Sequence, residues 1–103
     1  MSPESNQRST RITVVTAPGC HFCDDARQTV TQMATQGASI TVTLVEATSP
    51  YGLALLAEHR PPMNPLVIVD GRYFSAGRLP RRKLQAFLNR RSVASLAEVS
   101  HHG

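Results

Sequence analysis

Cys20 and Cys23, in the stretch Ala17-Pro18-Gly19-Cys20-His21-Phe22-Cys23, are the residues whose type and spacing most directly suggest chemistry. Two intervening residues at helical spacing put the second thiol one turn behind the first, close enough for an internal disulfide. The reading this supports is a dithiol couple, with Cys20 as the exposed nucleophile and Cys23 as the buried resolving thiol. The same spacing is also half of many zinc sites, which need four ligands. This chain holds only two cysteines, and its histidines are His21 inside the motif, His59, and the pair His101-His102 near the C-terminus. A redox pair is therefore favoured over structural zinc or inert cysteines.

The surrounding elements must place those thiols. Arg11–Thr16 is a β-branched run broken by Pro18-Gly19, which reads as a strand ending in a turn. Phe22, Ala26, Val30 and Met33 then recur at helical spacing, predicting a helix from Cys20 to Gln36 with Gly37 as its stop. Cys20 thus falls at a helix start, where unpaired N–H groups favour a thiolate over a thiol. A protonated His21 acts in the same direction, whereas Asp24 and Asp25 act against it.

Further along, Ser39–Ala47 reads as a second strand, with Ile40, Val42 and Leu44 on one face and Thr41, Thr43 and Val45 on the other. Ser49-Pro50 opens a short helix whose expected apolar face is Leu53, Leu56 and Ala57, stopping near Arg60 before Pro61-Pro62. Leu66–Val69 is continuous enough for a strand buried on both faces. Asp70-Gly71 signals a hairpin returning through Arg72–Ser75. A last helix begins near Leu79-Pro80, carries Leu84, Phe87 and Leu88 on one side, and gains a further turn or two over Ser92–Val99. The expected order is β-α-β-α-β-β-α. This is an α/β fold with a parallel βαβ unit, an antiparallel hairpin and helices on both faces of one four-stranded sheet. Residues 1–10 are expected to be a disordered tail, 11–99 the single domain, and 100–103 a frayed end.

At 103 residues and 41% hydrophobic content, the chain can bury one core without staples. No apolar run has membrane-spanning length, and Met1–Arg11 lacks the apolar segment of a signal peptide. A cytoplasmic monomer with no membrane partner is expected, and there a disulfide would be transient and catalytic. The net charge of +4 is concentrated in Arg78, Arg81, Arg82, Lys83, Arg90 and Arg91. That cluster reads as a solvated helix face, or as a site drawing in an acidic partner or the carboxylates of a small thiol. Without interleaved aromatics or a known motif, nucleic acid is not an expected partner.

With these elements placed, the chain resembles the thioredoxin superfamily, and most the small glutaredoxin-like proteins, over roughly residues 11–91. The matching residues are Cys20 and Cys23 at the strand-to-helix junction, Pro65 opening the third strand, and Gly77 after the fourth. The resemblance implies strand order 2-1-3-4 and a cis peptide before Pro65, with Asn64 turned to pair with a substrate's extended backbone. An ordinary trans proline is the alternative, and Pro61 and Pro62 compete for the position. Phe22 stands where glutaredoxins carry an aromatic residue, as an apolar guard over the motif. The chain departs from the family in lacking Trp before Cys20, in having Ala17 where glutaredoxins carry Lys, and in reducing their Gly-Gly-and-Asp glutathione site to Ala76-Gly77 with Pro80.

What the resemblance implies is a thiol–disulfide oxidoreductase that reduces protein or low-molecular-weight disulfides and is restored by a thiol reductant or a reductase. No metal or organic cofactor is required. Glutathione or an analogue is the expected low-molecular-weight co-substrate; beside the altered glutathione site, Arg78, Arg81 or Arg82 offer an anion clamp for another small thiol or an acidic partner protein. Two alternatives stand beside this: a carrier of a soft metal or an iron–sulfur cluster on the Cys-x-x-Cys loop, and a non-catalytic adaptor of the same fold.

Overall fold

Residues 9–102 are described by the computed structural model, those from 92 onward as backbone only. Strand β1 (Thr10–Thr16) is followed by α1 (His21–Thr35), β2 (Ile40–Glu46), α2 (Pro50–His59), β3 (Leu66–Val69), β4 (Arg72–Ala76) and α3 (Arg81–His102). The sheet order is β2-β1-β3-β4, as the resemblance implied. β1 runs parallel to β2 and antiparallel to β3, and β3 and β4 are antiparallel. Apart from Ser9 and Thr10, the tail expected over 1–10 lies outside the described residues, as does Gly103. Thr10 already pairs with Ile40. At the other end, α3 extends to His102. No Gly or Pro interrupts it after Pro80, so nothing local stops the helix.

Alternation along the two central strands sends side chains into two cores, one on each face. Ile12 and Val14 of β1 and Val67 and Val69 of β3 meet Ala26 and Val30 of α1 and Leu84 of α3. On the other face Val15, Leu66 and Ile68 meet Val45, Ala47 and Leu55. All four residues of β3 are buried, as its continuous apolar run predicts. The hairpin turn has positive φ at both Asp70 and Gly71, which suits the right-handed twist of the flanking strands. Among the described residues no helix is long and apolar enough to cross a membrane.

Three burial expectations need correction. Leu44 lies on the face of Ile40 and Val42 but is 49% exposed, while Val45 is buried on the opposite face. β2 is an edge strand, so the core facing Ile40 and Val42 does not extend over Leu44 near its end. In α1 the buried stripe runs through Cys23, Ala26 and Val30, and Phe22 is 37% exposed. In α2, Leu53 is 57% exposed and Ala57 is exposed; the buried positions are Gly52 and Leu55, flanked by half-buried Leu56.

Gly52 explains the roll of α2. A Cβ there would collide with the backbone carbonyl of Glu46, so only glycine lets the helix lie this close to the end of β2. The Ser49 hydroxyl caps the same turn, accepting from the N–H of Gly52 at 3.0 Å. Gly52→Ala should therefore destabilise the oxidised protein by about 2 kcal/mol in urea denaturation. At an open helix position the same change would add about 1 kcal/mol of stability. An unchanged or raised midpoint would mean that α2 is free to move off the strand.

Candidate functional site

One end of the sheet gathers most of the residues singled out by the sequence. Thr16 ends β1 opposite Glu46, and its carbonyl accepts from the N–H of Ala47 at 2.8 Å. Val15 faces Leu66 across the antiparallel ladder, so one step further brings the outgoing Cys20 loop beside Pro65. Leu66 in turn faces Ala76, and the N–H of Gly77 donates to the carbonyl of Pro65 at 3.0 Å. The cysteine loop, Asn64-Pro65 and Gly77 therefore converge at the same edge. The Asn64–Pro65 peptide is cis, and Pro65 is fully buried.

The two cysteines form a disulfide with their Cα atoms 5.2 Å apart. Cys20 is the N-cap of α1, extended in backbone, and its Sγ accepts a hydrogen bond from the N–H of Cys23 at 3.1 Å. This is the role usually played by a Ser or Asp oxygen at a helix start. Cys23 is 2% exposed at the head of the buried stripe, whereas Cys20 is partly open to solvent. The geometry thus separates an accessible sulfur from a shielded one. His21 is exposed beside them, its ring centroid 6.2 Å from that of Phe22 in a tilted arrangement.

The acids of the first turn each meet an arginine. Asp25 accepts from Arg81 at 2.7 Å, joining the start of α3 to the start of α1. Asp24, more exposed, lies 3.4 Å from Arg27. The basic cluster expected as one patch is divided. Arg91 pairs with Asp70 at 2.5 Å, drawing it toward the hairpin at the opposite end of the sheet. Arg78, Arg82 and Lys83 line an open pocket at the start of α3, with the Lys83 ammonium 5.0 Å from the centre of the Phe74 ring.

Sequence reasoning missed Met63. Its side chain is 50% exposed and lies where a Cβ on Gly77 would be, with Sδ 2.7 Å from that position. Gly77 has φ +79°, so its backbone favours glycine, and the flexible thioether of Met63 fills the space a Cβ would take. A glycine directly after a strand was the available signal; its partner lies 14 residues upstream and had none. Among the described residues no group of three or more His, Cys, Asp or Glu side chains is placed to hold a metal ion.

No family model matches this sequence, and no curated protein matches it. Solved structures do match. A chloroplastic thioredoxin z aligns with a TM-score of 0.64 at 13% identity, over 88% of this chain and 85% of its own. A thioredoxin from Fasciola hepatica aligns at 0.63 and 16%, over 86% of each chain. An uncharacterised thioredoxin-like protein from Clostridium perfringens aligns at 0.63 and 9%, over 79% of this chain and 69% of its own. The fold is thioredoxin-like.

The contrast between the two sulfurs is measurable after reduction. Brief iodoacetamide treatment of the reduced protein should modify Cys20 roughly tenfold faster than Cys23, read by peptide mass mapping. Equal labelling would show that Cys23 is not shielded in the reduced form.

Proposed function

From a thioredoxin-like fold with a Cys-x-x-Cys pair at its first helix start, we propose that this protein is a thiol–disulfide oxidoreductase working by a dithiol mechanism. The observation that carries the reading is the N-cap position of Cys20: its sulfur accepts the Cys23 N–H while Cys23 lies buried behind it. On reduction the same N–H and the positive end of α1 favour a thiolate on Cys20.

The Cys20 thiolate attacks one sulfur of a substrate disulfide, forming a Cys20–substrate disulfide and expelling the other substrate sulfur as a thiolate. Cys23, as its thiolate, then attacks Cys20 Sγ. The mixed disulfide breaks, the second substrate thiolate leaves, and the Cys20–Cys23 disulfide remains. Two electrons pass to the substrate, and two protons from the original dithiol are taken up by the leaving thiolates. A thiol reductant or a reductase supplies two electrons to restore the dithiol. No resident metal or organic cofactor takes part.

Around the sulfurs, His21 acts as the tuning residue: a proton on its ring would favour the Cys20 thiolate. Phe22 covers the motif and Asn64 offers backbone groups to an extended substrate segment, with Pro65 and Gly77 shaping the floor. Arg78 faces an anionic part of the substrate. A reducing cytoplasm, where the pair can cycle as a monomer, suits this chemistry. The altered Gly-Gly-and-Asp region argues for a substrate set different from that of a glutathione-dependent glutaredoxin.

The test is turnover of 2-hydroxyethyl disulfide with dithiothreitol as reductant. Cys20→Ser should fall to the uncatalysed background. Cys23→Ser should accumulate a covalent adduct on Cys20, visible in the intact mass and released by excess reductant. Full activity in Cys20→Ser would contradict the assignment of the nucleophile.

A further inference from the structure

The first turn of α3 holds Arg81, Arg82 and Lys83 and no acid. Cations at this end of a helix oppose the backbone dipole, so helix stability does not explain the arrangement. Arg81 has a structural use, because Asp25 holds it. Among the described residues no ion pair engages Arg78, Arg82 or Lys83, and Lys83 has only the face of the Phe74 ring beside its ammonium. Together with Leu79 and Pro80, these side chains line an open pocket.

The position of that pocket follows from two contacts already described. The Arg81–Asp25 pair brings its wall against the first turn of α1, two residues beyond Cys23. Arg78 directly follows Gly77, whose N–H bonds to Pro65 at the same sheet edge. Exposed Met63 and Phe22 provide apolar surface at the cysteine end. The pocket is thus tied to the first turn of α1 through Arg81–Asp25, on the side of the sheet edge where Gly77 meets Pro65.

Resting on the exchange reading above, we propose that Arg78, Arg82 and Lys83 select protein disulfides whose cysteine is flanked by acidic residues in an extended segment. Extended chain advances about 3.3 Å per residue, so carboxylates a few positions from the reacting cysteine reach the pocket while its sulfur meets Cys20. Several cations spread along a surface suit several carboxylates along a peptide, and the net charge of +4 steers the approach. Attraction of this kind acts on encounter rate and is screened by salt.

The test uses disulfide-linked peptides of one sequence with Glu, Gln or Lys flanking the cysteine. Second-order rate constants with the reduced protein are measured by acid quench and chromatography. The Glu peptide should react about tenfold faster than the Lys peptide at low ionic strength, with the ratio shrinking at high salt. Arg78→Gln/Arg82→Gln/Lys83→Gln should bring that ratio near one. Arg72→Gln/Arg90→Gln, which removes charge elsewhere, should preserve it. Equal rates for all peptides would overturn the proposal and leave the exchange reading intact. So would a ratio lost equally in both variants, or an effect of the triple variant confined to glutathione disulfide. No reaction with any peptide or with 2-hydroxyethyl disulfide would overturn the exchange reading and this proposal with it.

Discussion

The hydrogen bond from the Cys23 N–H to the Cys20 sulfur is the constraint around which the molecule is arranged. It makes a sulfur the cap of α1, which begins at His21, five residues after the end of β1 at Thr16. A strand buried on both faces supplies a rigid launching point: Ile12 and Val14 pack into one core and Val15 into the other. The exposed and buried ends of the Cys-x-x-Cys motif follow directly. The capping residue lies outside the helix, while the residue three later turns into the core beside Ala26 and Val30.

Electrostatics is arranged on the same few residues. Carboxylates two residues or fewer past Cys23 would weigh against a thiolate nearby, yet both have an arginine within ion-pair distance. The Arg81–Asp25 contact also ties the start of α3 to the start of α1, while Gly77 is bonded to Pro65. An exposed ion pair of this kind adds little to global stability. Its consequence is local: it decides which cations remain available at the edge of the site.

Much of this was legible because it depends on neighbours in sequence. The Pro-Gly break before Cys20, the continuous apolar run of β3 and the Asp70-Gly71 turn each state their structure within a few residues. The errors arose where a face is chosen by something distant. Leu53 and Leu55 are equally apolar; Gly52 against the Glu46 carbonyl decides which one is buried. Phe22 has the right spacing for the core but yields that place to Cys23, because the cap fixes the rotation of α1. The six basic residues looked like one patch because the acidic partners of Arg81 and Arg91, Asp25 and Asp70, lie 56 and 21 positions away. Met63 over Gly77 was invisible for the same reason.

The central claim is that Cys20 and Cys23 form a reversible two-electron couple. The most direct measurement equilibrates the metal-free protein in glutathione redox buffers, traps every species by alkylation, and weighs the intact chains. The account predicts a reversible loss of two hydrogens across the series, which is absent in Cys20→Ser and follows a two-electron dependence on the buffer. A chain that remains a dithiol, or remains a disulfide, across the whole accessible range would contradict it.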